Sequence, residues 1–226
     1  MKPLLNTLYV TSPGASLAKE GETVCVKQEG ETRARIPLHT LTGIICFGPV
    51  GCSPFLMHAA SERGVALTFL SEHGRFLARV QGPVSGNVLL RRAQYRRADA
   101  PVQCGELVRS FVLGKIVNSR AVLQRAARSC SDAGGTDKLN RACGRLVFLC
   151  KEVARCRDVD VIRGHEGDAA RVYFSVFDEL IVGDREQFFF HGRNRRPPLD
   201  NVNCLLSFLY TLLTHDVASA LEAARW

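Results

Sequence analysis

The stretch that decides the architecture runs from Asp158 to Gly183, DVDVIRGHEGDAARVYFSVFDELIVG. Read at 3.6 residues per turn, Ile162, Ala169, Tyr173, Val176 and Leu180 share one face, which predicts an amphipathic helix over 158–183. Glu166 falls on that face as well. An ionised carboxylate on an apolar stripe costs on the order of several kcal/mol of desolvation unless something offsets it. An arginine, a proton or a metal ion would each do so, and the choice among them decides the chemistry. Glycine or alanine at 164, 167, 169 and 170 lets another backbone or a ligand approach beside Glu166. One carboxylate does not make a site for a hard divalent ion such as Mg²⁺ or Mn²⁺, which draws further oxygen or imidazole ligands from elsewhere in a fold. His165 points about 100° round the helix and away from such an ion. Spacing alone leaves a buried Glu–Arg pair and a metal ligand both open.

Upstream of this helix the pattern divides in two. Short runs rich in Val, Ile, Thr and Leu near Leu4 to Val10, Thr23 to Gln28, Thr32 to Ile36 and Thr42 to Phe47 read as strands. Glu29-Gly30 reads as a hairpin turn. Ser53 and Pro54 open a short helix that Gly64 ends, and two further strands flank a turn at His73-Gly74. After Gly82-Pro83 the grammar turns helical: 87–98, then Pro101 to about Cys130, a break at DAGGT, and Asp137 to about Arg157. A last helix starts at Asp200 or Asn201 and runs through Ala224. The expected fold is α+β, with a β-rich domain over 1–84, a mostly helical domain over 85–226, and a boundary near Gly82 to Gly86.

Charge follows the same division. Residues 85–128 hold nine basic groups against Asp99 and Glu106, and eight of the nine are arginine, Lys115 being the exception. Residues 1–84 carry eight basic and six acidic groups, and 129–226 carry thirteen and fourteen, so most of the net +8 sits in one stretch. Concentrated arginine suits phosphate, through its planar fork and weak hydration, although a solvated helix face reads the same way. Arg91, Arg92, Arg96 and Arg97 are the candidates there. A second cluster, Arg193-Asn194-Arg195-Arg196-Pro197-Pro198-Leu199-Asp200, is a proline-stiffened loop in which Arg193, Arg195 and Arg196 present cations and Asp200 is placed as an N-cap. The nine cysteines form no C-x-x-C pair, which predicts reduced thiols packed as small hydrophobes. No apolar run reaches the roughly 18–20 residues of a membrane span, and the N-terminus makes a poor signal peptide, so a cytoplasmic location is expected. No P-loop, dinucleotide fingerprint or nucleophile elbow is present.

GHEGDAARVYF at 164–174 and RRPPLDNVNCLLSFLYTLL at 195–213, with the opening LNTLYVTSPGASLAKEGETVCV, resemble the CRISPR-associated integrase of spacer acquisition, the Cas-one family, in its subtype I-C variety. The resemblance covers essentially the whole chain. It implies a β-rich domain that dimerises and a helical domain that holds Mg²⁺ or Mn²⁺ and cuts or joins DNA. Glu166 matches the family's metal-binding glutamate, which makes it the catalytic candidate. Asn203 and Tyr210 match a motif packed beside the active site, and Asn201 stands where a proline is common. The implied partners are DNA, a second copy of the chain and the small companion adaptation protein, the Cas-two protein, with no membrane. The family's remaining histidine and aspartate ligands would lie beyond Trp226. A helix-compatible pattern running to Trp226 with no capping glycine also predicts a chain cut short and therefore inactive or weak. The alternative readings are a non-catalytic fragment that dimerises and binds DNA, or a helical interaction domain with Glu166 in a structural ion pair.

Overall fold

The computed structural model describes residues 6–83 and 88–223. They form two compact units, one of 6–83 with 208–223 and one of 88–207. The order is the expected one, a β-rich N-terminal part followed by a mostly helical part. The expected boundary near 82–86 falls partly on 84–87, outside the described residues, as do the first residues of the expected strand at Leu4 and the last helical residue, Ala224.

In the first unit β1 (Thr7–Val10), β5 (Gly43–Phe47), β7 (Ala66–Leu70) and β8 (Phe76–Val80) make one sheet in the order β1-β5-β7-β8. All five residues of β5, GIICF, are buried, and both its neighbours run parallel to it. An unbroken apolar run is what a strand covered on both faces requires. The second sheet is β4-β3-β2-β6, from β2 (Ser16–Glu20), β3 (Thr23–Gln28), β4 (Glu31–Pro37) and β6 (Gly51–Cys52). Its β3–β4 hairpin turns at Glu29 and Gly30 with φ of 53° and 82°, the paired positive values of a type I′ turn. Strands β2 and β6 were not expected from the sequence. SLAKE has poor strand propensity, and its pairing with β3 on one side and β6 on the other supplies what local preference lacks. Helix α1 (Pro54–Glu62) starts as expected, with the Ser53 hydroxyl accepting from Leu56 N at 3.3 Å, and Gly64 leaves it at φ 68°. From Phe208 onward the last helix, α6 (Asn201–Ala223), belongs to this unit. Leu212 packs with Ile45, Phe47 and Leu70, and His215 stacks on Phe76 with ring centroids 4.8 Å apart.

The second unit consists of α2 (Val88–Asp99), α3 (Pro101–Ser129), α4 (Ala133–Arg155), α5 (Val159–Ser175), a 3₁₀ turn at Phe177–Leu180 and α6 through Ser207. DAGGT is not the break the sequence suggested. Asp132 caps α4 by accepting from Gly134 N and from Gly135 N at 2.6 Å, so both glycines lie in its first turn. The fit is tight there, since a Cβ on Gly135 would lie 3.0–3.2 Å from Glu179, Asp132 and Cys130 side-chain atoms, which would have to give way. The focal helix is also shorter than expected, ending at Ser175 and not at Gly183. The rings of Tyr173, Phe174, Phe177 and Phe190 gather into one cluster there, and the Asp178 carboxylate accepts from Phe190 N at 2.9 Å, which turns the chain. The core joins Val112, Ile116 and Leu123 of α3, Leu139, Leu146, Leu149 and Val153 of α4, and Ile162, Ala169 and Val176 from the focal stretch. All nine cysteines are free thiols, as expected, and burial pushes Cys46 up to about 12 and Cys52 to about 11.

Helix α3 meets the start of α5 at Gly105, where a Cβ would stand 1.8 Å from the Arg157 carbonyl oxygen. That backbone contact excludes every residue but glycine, and it predicts an asymmetry along one helix. Gly105→Ala should cost about 1–3 kcal/mol through overpacking. Gly114→Ala, where a Cβ meets nothing within 4 Å, should gain about 0.5–1 kcal/mol from lower unfolded-state entropy. Thermal denaturation of the two variants should therefore move in opposite directions, and a neutral Gly105→Ala would contradict the contact.

Candidate functional site

Asp158 caps α5 by accepting from Asp160 N and Val161 N, and buried Ile162 and Ala169 fix which face turns inward. Glu166 lies between them at the margin of that face, with 30% of its side chain exposed. Its Oε1 accepts from Lys115 Nζ of α3. The charge is thus offset by a cation, but by a lysine and not the arginine considered from spacing, and the carboxylate is half-buried instead of fully buried. Lys115 reaches it because α3 and α5 advance together. Gly105 abuts Arg157, and ten residues up α3 and nine up α5 are rises of roughly 15 and 14 Å. The faces of Gly164 and Gly167 are open, with nothing within 4 Å of where a Cβ would be.

A divalent ion of the expected kind takes about six oxygen ligands. Glu166 offers one carboxylate, already engaged by an ammonium. Among the described residues no group of three or more His, Cys, Asp or Glu side chains is arranged to hold a metal ion. The donor set in the described residues therefore does not fit such an ion by itself.

The second expected cluster is a polar knot. Asn203, 0% exposed, accepts on Oδ1 from Arg193 Nη1 at 2.7 Å and from Asn194 N at 3.0 Å. Its Nδ2 donates to the Gly192 carbonyl at 2.9 Å and to Asp200 Oδ2 at 2.7 Å. Asp200 caps α6 as expected, its Oδ1 accepting from Asn203 N at 2.7 Å. Arg193 also donates to the Asn194 carbonyl and to Ser207 Oγ. Arg193 is thus built into the loop, whereas Arg195 and Arg196 are exposed. Tyr210, 44% exposed, lies in the part of α6 that belongs to the strand unit.

Helix α2 has no buried residue. Arg92, Arg96 and Arg97 are exposed, Arg91 is half-buried, and Tyr95 stands 73% exposed among them. Arg97 also lines a cleft of about 560 Å³ with Arg109, Gln103, Ser110, Glu106 and Leu107 of α3. Sequence reasoning missed the roles of Lys115 and of Asn194. The signal for Lys115 was its being the one lysine in an arginine-rich segment.

The family profile described as CRISPR associated protein Cas1 matches residues 8–225. A CRISPR-associated endonuclease Cas1 from Chlorobaculum tepidum is 55% identical over 223 residues, 99% of this chain and 65% of the relative. A CAS1 protein from Thermotoga maritima has the same fold, with a TM-score of 0.75 at 23% identity over 98% of this chain and 67% of that one. A Cas6-RT-Cas1–Cas2 complex contains a similar fold, with a TM-score of 0.72 at 22% identity over 98% of this chain and 24% of that one. The chain belongs to the Cas1 family of CRISPR-associated proteins. It spans 65% of the length of the curated Chlorobaculum tepidum relative.

The knot makes stability depend on acid. Burial alone would raise the Asp200 carboxyl, but hydrogen bonds from the Asn203 side chain and backbone and from Asn194, with the charge of His191, outweigh it and hold the group below its ordinary 3.8. The unfolded chain then binds more protons, so this stabilisation is complete above pH 3.8 and is lost as pH falls through the lower folded value. Asp200→Asn, which still caps a helix, should flatten the fall in melting temperature below about pH 4. An acid limb as steep as wild type would remove Asp200 from that role.

Proposed function

We propose that the protein is a DNA endonuclease and integrase of CRISPR adaptation, which inserts new spacers into the array. The observation that carries this is Glu166, a carboxylate at the edge of an apolar helix face beside open glycine positions, in a Cas1-family chain. Glu166 would supply one ligand to Mg²⁺ or Mn²⁺, with the other donors coming from outside the described residues. Such an ion, when bound, stabilises charge that develops at a phosphodiester during strand transfer. This chain's own residues bind and position DNA. Arg92, Arg96 and Arg97 offer exposed forks along α2, Arg91 is half-buried behind them, and Arg195 and Arg196 offer two more beside α6. Arg193 acts at one remove, by holding the loop that presents them. The partners are DNA, a second copy of the chain and a Cas2-type protein, in the cytoplasm. Support for the Cas2-type partner is the similar fold inside a solved Cas1–Cas2 assembly. No helix among the described residues is long and apolar enough to cross a membrane.

The Lys115–Glu166 pair and the incomplete donor set favour a second reading for this 226-residue chain, a DNA-binding and dimerising module with slow or no strand transfer. Both readings require duplex binding that weakens with salt. The slope of log Kobs against log salt should lose roughly 0.9 for each arginine on a phosphate, so about 3.6 if all of Arg91, Arg92, Arg96 and Arg97 are changed to glutamine and each makes one contact. An unchanged slope would take them out of the interface, and no duplex binding at low salt would overturn both readings. Strand transfer supported by Mn²⁺ and lost in Glu166→Ala would decide for the catalytic reading. Transfer that survives Glu166→Ala would overturn the assignment of Glu166.

A further inference from the structure

We propose that the cleft between α2 and α3 seats a phosphate of a DNA strand, and that Arg109 is a further phosphate contact beside Arg97. This rests on the reading of the chain as a DNA-binding protein and adds a residue of α3 to the arginines of α2. Three observations carry it. Arg97 of α2 and Arg109 of α3 line the same cleft of about 560 Å³. Neither forms an ion pair with another of the described residues. Arg109 is half-buried, so its guanidinium has given up part of its water without gaining a counter-charge.

Helical spacing explains how the cleft is built. At about 100° per residue, Gln103, Glu106, Leu107 and Ser110 share the side of α3 opposite the core residues Val112, Ile116 and Leu123. Arg109 emerges at the margin of that core face, and Arg97 comes from the last turn of α2. Two guanidinium groups lining one cleft repel each other, and an anion between them removes the repulsion. Phosphate suits them, because planar forks take its oxygens in pairs. The Gln103 amide adds N–H donors, whereas the Ser110 hydroxyl already donates to the Glu106 carbonyl at 3.0 Å. Glu106 opposes an anion and leaves the lining one net positive charge, which gives its removal a definite sign. The volume exceeds one phosphate and leaves room for the attached sugars against Leu107. A nucleic acid strand is favoured over an acidic peptide because Arg92, Arg96 and Tyr95 are exposed on the same α2 helix. Cations with an exposed ring among them suit a backbone and its bases.

The test is the salt dependence of short-duplex binding by the 226-residue chain, followed by fluorescence anisotropy. Arg109→Gln should lower the slope of log Kobs against log salt by roughly 0.9, and weaken binding roughly eightfold at about 0.1 M salt, through loss of one phosphate contact. Arg109→Lys, which keeps the charge, should retain the wild-type slope. Leu107→Trp, which fills the cleft without changing its charge, should lose as much slope as Arg109→Gln. Arg125→Gln removes the same charge from an exposed position farther along α3 and should leave the slope unchanged. Glu106→Gln should tighten binding several-fold. A purely structural Arg109 would shift the melting temperature and leave the slope alone. An unchanged slope in Arg109→Gln or Leu107→Trp, an equal loss in Arg125→Gln, or weaker binding by Glu106→Gln overturns the proposal. Each of those failures leaves duplex binding by the wild-type chain in place, whereas failure of the DNA-binding reading shows as no duplex binding at low salt.

Discussion

One backbone contact sets the geometry on which the candidate site depends. Where Gly105 of α3 touches the Arg157 carbonyl, two helices approach so closely that a single methyl group would not fit. From that point the helices rise side by side, and two residues 51 apart in sequence meet as a charged pair. Below the pair, Ile116 of α3 and Ile162 of α5 are both essentially inaccessible to water, and Leu139, Leu146 and Leu149 of α4 close the same core. The apolar contacts set the spacing of the helices, the glycine contact sets their register, and the register determines which cation reaches Glu166.

Much of this was legible in the sequence because the relevant forces are local. The 3.6-residue repeat of Ile162, Ala169 and Val176 correctly gave the buried side of the focal stretch. Ser53-Pro54, Glu29-Gly30 and Asp200 each encode a cap or turn within a few residues, and each is found in place. Where the reading failed, the deciding partner lies far along the chain. SLAKE becomes a strand because two other strands flank it. The pair of glycines at 134 and 135 resembles a helix break, yet both lie inside the helix, where Glu179, 44 positions beyond Gly135, leaves little room for a side chain. The focal helix stops early because Phe190 returns to pack on Phe174 and Phe177.

The carboxylate on the apolar face shows the same division between what is local and what is not. Periodicity was enough to say that Glu166 needs a partner, because the cost of desolvating a charge depends only on where the side chain sits. It could not name the partner, since that depends on how α3 is set against α5. Lysine also changes the chemistry relative to the arginine considered from spacing. An arginine fork would satisfy both oxygens of the carboxylate and commit it to structure, while the lysine engages Oε1 through one compact, well-hydrated group. A carboxylate held in this way is restrained but still available.

Arginine in the 193–200 loop shows why a count of basic residues misleads. Arg193, Arg195 and Arg196 contribute equally to net charge, but they do different work. Arg193 donates to Asn203, to the Asn194 carbonyl and to Ser207, so its fork is directed into the protein. Asn203 is fully buried and bonds through both ends of its amide, and an amide left half-satisfied there would cost more than a missing surface charge. Removing Arg193 would therefore act on the presentation of Arg195 and Arg196 as much as on the charge itself. Equal charge thus hides unequal placement: in this loop Arg195 and Arg196 are exposed residues beside a knot that the half-buried Arg193 helps to close.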